Sequence, residues 1–474
     1  MPQSGDYDAV VVGTGPNGLA AALRLAQRGL SVVAFEQARF MGGGVRSAEL
    51  TLPGFLHDVC SAVYPLAMAS PFFATLPLAR HGLQWIHPSI PLAHPLGGNR
   101  AVLLHRSLQL TAGGLGRDRD AYLGLLEPLL QDWPRLVPDL LRPMLRVPSE
   151  VRACARFARK AVLPADLLIR RVFQSPEAKA LFAGLAAHSL QRLDGWGTAG
   201  FGLVLALAGH AHGWPIPRGG AQELTSALAA CLREARGEIL TGVMVSRLEQ
   251  LPRARIILLD LSPKGFVDLA GARLNWMQRH RYLRFPAGPG VFKIDYALSS
   301  PIPWAAAECA QAGVVHVGGT FEEIALSERE VLAGREPARP FVLLAQPTLF
   351  DVLRAPRGHH VAWAYCHVPN GSRFDMTIRI EEQIERFAPG FKDCILARRA
   401  VTCAEMEATN PNYRGGDISG GSNALRHLLF RPVARLCPYR TPLPGVYLCS
   451  ASTPPGGGVH GMCGFNAAEA ALES

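Results

Sequence analysis

The sequence predicts an α/β fold in which a parallel-sheet domain, assembled from separated stretches of chain, carries a second domain of mixed α+β character. Three observations lead there: a strand–glycine turn–helix–strand unit at the start, a glycine-rich strand–turn–helix segment at the far end, and a long helical insertion between them. At 474 residues the chain is too long for one compact core. A hydrophobic content of 49% against 18% charged residues excludes a disordered protein.

The elements follow in order. Asp8 to Val12 is a short apolar run, read as a strand, and Gly13 to Gly18 is the turn after it. Leu19 to Arg28 has helical composition, Gly29 stops it, and Ser31 to Phe35 is a second strand, so the three make a βαβ unit. From Asp118 to Ala208 the pattern is mainly helical, interrupted by Pro134, Pro138, Pro143, Pro148 and Pro164. Trp214 to Gly220 is a turn-rich junction, Glu223 to Arg236 a helix and Glu238 to Leu248 a strand pair. Phe285 to Trp304 and Val361 to His367 are patterned as strands, Glu381 to Phe387 as a helix, and Val446 to Cys449 as a buried strand. The layout implies a discontinuous domain at 1–70, 215–295 and 430–474, and a cap at 71–214 and 296–429 that is helical over about 118–212.

Gly13, Gly15 and Gly18 form G-x-G-x-x-G between the first strand and helix, with Pro16 and Asn17 inside the turn. Such glycines allow a tight turn, close approach of backbone to a pyrophosphate, and helix–strand packing. The helix N-terminus then offers unpaired N–H groups to phosphate, and Pro16 suits a first helical turn. Glu36 closes the second strand 21 residues after Gly15, the spacing at which a carboxylate meets a ribose diol. An acid there favours FAD or NAD over NADP. A second glycine triplet at 195, 197 and 200 follows no apolar strand and is read as a decoy.

Gly42, Gly43, Gly44 and Arg46 follow closely on Glu36. This stretch resembles the flavin-binding GG motif of the amine oxidase and phytoene desaturase superfamily, although Gly44 stands where those enzymes place arginine. The segment GVYLCSASTPPGGGVHGMCGFNAAEAAL resembles the closing motif of bacterial phytoene desaturases. The resemblance implies that Ser450, Gly457, Gly458, Val459 and Met462 lie on the flavin, with helix N–H groups at its pyrimidine edge. WPIPRGGAQELTSAL is similar to the P-x-G-G segment of the same enzymes, and Val245, placed in the strand after it, matches the position whose backbone holds adenine. HVPNG, ERFAPGF and NPNYRGGDISGG extend the resemblance to a phytoene dehydrogenase-like subgroup. It implies a Rossmann-type FAD-binding domain, amine oxidase/phytoene desaturase-like, with a substrate cap.

The expected activity is FAD-dependent oxidation or desaturation of a hydrophobic, isoprenoid or lipid-like molecule by hydride transfer to flavin N5, with oxygen or a quinone as electron acceptor. The alternative is an interaction protein whose FAD is structural. His460 is a candidate base, lining residue or helix cap; Asp417, with a turn role as the alternative, and His367 are further catalytic candidates. No metal-ligand cluster, nucleophile elbow or Walker loop is present. Ten scattered cysteines without C-x-x-C, and no leader-like pattern in Met1 to Asp8, lead to an expectation of a cytoplasmic protein.

The net charge of +10 includes a basic face at Arg152, Arg156, Arg159 and Lys160, beside an apolar stripe of Val151, Ala155, Ala158 and Val162. That helix is either an ordinary solvated face or an interfacial helix for anionic lipid, which would make the protein peripheral at a membrane. Nucleic acid is not expected, because no aromatic residues interleave with the charge.

Overall fold

The computed structural model describes residues 6–473, so Met1 to Gly5, where no leader-like pattern is expected, and Ser474 lie outside the described residues. Two sheets organise the molecule. The first has five parallel strands, in the spatial order Val446–Leu448, Ala254–Leu259, Tyr7–Val12, Val32–Glu36 and Glu238–Thr241. Its central strands are rich in valine, isoleucine and leucine and buried on both faces, as parallel sheets require. In-register pairing of Val12 with Phe35 and with Leu259 brings the carboxyl ends of three strands together. Gly13, Glu36, Asp260 and Ser450 therefore emerge along one edge, where open α/β sheets bind ligands.

The second sheet has seven strands, in the order Ile395–Val401, Gly290–Leu298, His360–Val368, Val342–Ala345, Ala312–Val317, Ile90–Gly97 and Arg100–Leu104. All neighbours are antiparallel except the Ile90–Gly97 and Ala312–Val317 pair. The Gly290–Leu298 strand belongs to this sheet although it begins inside the 215–295 stretch assigned above to the nucleotide domain.

Three expectations need correction. The helix Arg119–Leu140 passes through Pro128, Pro134 and Pro138 without a break. Its buried face of Leu125, Leu126, Leu129, Trp133 and Leu136 outweighs a propensity cost of about 3 kcal/mol per interior proline. Breaks occur instead around Pro143, Pro148 and Pro164. Glu238 to Leu248 holds one strand and not two: Gly242, at φ +72°, turns the chain, and Val245 lies in a loop. The helix Val151–Ala161 buries Ala153, Phe157 and Ala161, whereas the stripe Val151, Ala155, Ala158 and Val162 is exposed on a cavity wall.

No helix among the described residues is long and apolar enough to cross a membrane.

Candidate active site

One continuous cavity of about 1090 Å³ runs from the edge of the five-stranded sheet into the cap. That is just above the roughly 300–1,000 Å³ of ordinary small-molecule pockets, as a dinucleotide plus a second molecule demands.

The sheet end is the glycine loop. Gly15 precedes the helix Pro16–Gln27, whose first turn has Pro16 at its start and no side-chain cap at Gly15; the Gly18 N–H is taken by Asp260, and the positive end of the helix dipole is turned to the loop. A Cβ on Gly18 would lie 2.1 Å from the Gly13 carbonyl oxygen, and one on Gly43 3.2 Å from Gly15 Cα. Side chains at either position would fill the cradle or part the helix from its strand. The buried Asn17 Oδ1 has no hydrogen-bond partner and borders the cavity. Glu36 accepts hydrogen bonds from the Thr14 N–H (3.0 Å), the Thr14 hydroxyl (2.7 Å) and the Ala38 N–H (3.0 Å). It thus braces the turn it was expected to serve.

Sequence reasoning missed Asp260, which follows the Ala254–Leu259 strand directly. Its carboxylate accepts the Gly18 N–H at 3.1 Å, and a Cβ on Gly15 would sit 2.7 Å from it. Burial, reinforced by the nearby charge of Glu36, raises its pKa to about 7. An acid at the end of a buried strand beside a glycine loop was the available signal.

Gly43, Gly44, Arg46, Ser450, Gly457, Gly458 and Val459 join Gly13, Gly15, Pro16, Asn17 and Glu36 on the cavity wall, and Val245 joins them from its loop. Arg46 donates to the Gly43 carbonyl (2.9 Å). Gly18, Gly42 and Met462 stand behind the wall; Met462 is the first residue of the helix Met462–Leu472. A dinucleotide of the FAD type fits this set: a glycine cradle, a helix N-terminus, a ribose-range carboxylate and an orphaned amide oxygen.

The three catalytic candidates do not come together. His460 borders the cavity, but its Nδ1 accepts the Met462 N–H (3.0 Å), so from the position before the Gly461 cap it takes up the first N–H of the last helix. Burial lowers its pKa to about 4. Asp417 lies off the cavity wall and accepts N–H groups from Gly288, Ser419 and Gly421 at 2.7–2.8 Å, the work of a turn residue. His367 is also off the wall, and its Nδ1 contacts both oxygens of buried Glu328 at 2.8 and 2.9 Å.

The cap end of the cavity is apolar. Phe157, Phe201, Val204, Leu205, Val314 and Leu343 line it, and Trp363 and Tyr365 lie at 5.0 Å, edge to face, on the His360–Val368 strand. His188 is the polar exception. Its Nε2 lies 3.1 Å from Nε2 of fully buried His316, and burial lowers its pKa to about 3, aided by the charge of His367. It is a neutral imidazole at the cavity surface. Met144, Val147 and Val151 line the cavity and are also exposed, which marks its mouth beside the arginines of the Val151–Ala161 helix.

Residues 11–74 match the model of the NAD(P)-binding Rossmann-like domain family. The fold is that of FAD-dependent amine oxidases and related oxidoreductases. An oxidoreductase from Methanosarcina mazei superposes at a TM-score of 0.68 with 16% identity, covering 98% of this chain and 100% of that one. Putrescine oxidase bound to putrescine gives 0.61 at 14% identity, with 99% and 98% covered. Among curated proteins, the rat pyridine nucleotide-disulfide oxidoreductase domain-containing protein 2 is 26% identical, with 98% of this chain and 93% of the relative aligned. The 4,4'-diapolycopen-4-al dehydrogenase of Metabacillus indicus is 27% identical over 30% of this chain and 29% of its own length.

Proposed function

We propose that the protein is an FAD-dependent oxidoreductase that removes hydride from a neutral or anionic, lipid-like molecule of the isoprenoid type. One observation carries the reading: a glycine-lined dinucleotide cradle opens, without a partition, into an apolar chamber under the seven-stranded sheet. When bound, FAD supplies a hydride acceptor. The residues of the chain do the rest. The N-terminus of the Pro16–Gln27 helix holds the pyrophosphate, Glu36 the ribose, and the 457–462 turn the pyrimidine edge. Trp363, Tyr365 and the aliphatic wall exclude water and orient the apolar substrate. His188 stays a neutral imidazole and serves as a hydrogen-bonding group for a hydroxyl on the oxidised carbon.

Amines are disfavoured. The carboxylates on the cavity wall are Glu36, Asp139 and Asp260, against Arg46, Arg142, Arg146 and Arg431. Glu36 and Asp260 belong to the glycine loop, and Asp139 accepts the Ser149 and Glu150 N–H groups. The chamber offers an ammonium no counter-ion. The basic, apolar mouth suits extraction of substrate from an anionic bilayer by a peripherally bound protein, with oxygen or a quinone reoxidising the cofactor.

The test is gentle purification followed by anaerobic mixing with a panel of long-chain polyenes, polyene alcohols and alkylamines. Yellow protein bleached by the polyenes or alcohols, with the matching oxidised product, supports the reading. Bleaching by amines alone overturns it, and yellow protein that no member bleaches favours structural FAD.

A further inference from the structure

Arg431 has 0% exposure, and among the described residues no carboxylate lies within ion-pair distance of it. Its guanidinium is held by neutral acceptors at long range: Ser452 O (3.4 Å), Asn423 Oδ1 (3.3 Å), Ser419 O (3.3 Å) and Gly420 O (3.2 Å). The ring of Phe285 is 5.8 Å away. A buried cation with no anion beside it is costly, and carbonyl dipoles offset only part of that cost. The charges around it do not supply the missing anion. Asp417 acts on it only from beyond ion-pair distance, its carboxylate held away by the Gly288, Ser419 and Gly421 N–H groups. Burial pushes the Cys463 thiol up to about 12, so it is uncharged, and neighbouring His460 is neutral.

Arg431 lies directly beneath the cavity surface, covered by these carbonyl-bearing loops. It backs the wall beside Gly457, Gly458 and His460, and a Cβ on Gly456 would come 2.6 Å from its Nη1. The same turn leads into the N-terminus of the Met462–Leu472 helix, so a full positive charge and a helix dipole end share one corner.

We propose that Arg431 provides the counter-charge for the reduced flavin and thereby sets its reduction potential. The inference rests on the FAD reading above. Two-electron reduction of the ring with uptake of one proton leaves one negative charge on its pyrimidine side. A fixed guanidinium there favours that anion over its protonated form and over the oxidised ring, as pre-placed charge favours any developing charge.

The experiment uses wild-type, Arg431→Lys and Arg431→Met holoproteins. Midpoint potentials are read against indicator dyes during anaerobic reduction by xanthine and xanthine oxidase. Sulfite affinity is read from bleaching near 450 nm, since sulfite addition also leaves an anionic ring. Arg431→Met is expected to lower the potential and weaken sulfite binding at least tenfold while flavin stays bound, with Arg431→Lys close to wild type. Wild-type potential and sulfite affinity in Arg431→Met would reduce the guanidinium to a tie between loops and overturn the proposal. A second measurement needs no variant. Between pH 6 and 9 the wild-type potential should change as for one proton per two electrons, with the spectrum of anionic reduced flavin; a two-proton slope and a neutral reduced spectrum would overturn it. Failure of the parent reading looks different: wild-type protein that takes up no flavin at all removes both.

Discussion

The two ends of the cavity are built on opposite principles. At the sheet end, glycines leave backbone exposed, and the acids there, Glu36 and Asp260, are tied to the loop by hydrogen bonds. At the cap end, bulky apolar and aromatic side chains make the wall, and the fixed charges are arginines at the mouth. One end recognises through backbone geometry and tolerates almost no added atoms. The other recognises through shape and desolvation and tolerates exchange. Damage at the first should remove the colour of the protein, and damage at the second should spare the colour and change what the protein acts on.

The sharpest way to break this comparison is Gly18→Val. With a Cβ forced to 2.1 Å from backbone at Gly13, bound flavin should be lost entirely, read as the absence of the 450 nm band; a yellow variant would mean that the loop is not the cradle. Next in size is the charge reversal Arg152→Glu with Arg159→Glu. At about 1 kcal/mol per basic residue near an anionic bilayer, loss of two positive charges alone should weaken sedimentation with phosphatidylserine vesicles by about one to two orders of magnitude at low salt, and their reversal by more. Flavin content should not change. Equal binding by wild type and variant would return the helix to the role of a solvated surface.

A smaller effect sharpens the sheet end. Asp260 is neutral below about pH 7 and an anion above it, beside the glycine loop proposed to hold the diphosphate. Cofactor affinity should therefore fall as pH rises through 7, and Asp260→Asn should flatten the profile and bind several-fold tighter at pH 8, measured by flavin fluorescence quenching. In the apo-protein the raised pKa means that the unfolded chain holds fewer protons between the usual carboxylate range and about pH 7, so stability from this group declines across that interval. The smallest change expected is at the cap. Gly184→Ala would place a Cβ 2.6 Å from His316 Nδ1 and 3.3 Å from His94 Nδ1. Overpacking of this kind costs about 1–3 kcal/mol, seen as a melting shift of a few degrees with the flavin spectrum intact.

The same division explains what could be read in advance. The nucleotide half was legible because its signals are local: Gly13, Gly15 and Gly18 answer to steric demands within a few residues, and Glu36 to the length of one βαβ unit. Fold class followed from them. The chemistry of the cap was not legible, because its groups meet only in three dimensions. His188 finds His316 across 128 residues, and Asp260 reaches Gly18 across 242. His460 and His367 stood out as histidines near motifs, yet one takes up the first N–H of a helix and the other pairs with Glu328. Residue type alone does not distinguish a working imidazole from a satisfied one. The unbroken Arg119–Leu140 helix makes the complementary point, since local proline signals gave way to a buried face.

The parallel sheet also has a bearing on how the molecule is made. The Val446–Leu448 strand closes its edge, and the Met462–Leu472 helix packs so tightly on the first helix that a Cβ on Gly464 would lie 1.8 Å from the Asn17 carbonyl oxygen. During synthesis, the motif that emerges from the ribosome first must wait for more than four hundred residues before its neighbour arrives. A chain truncated before residue 446 lacks this edge strand and this helix, and should be unable to retain the proposed dinucleotide.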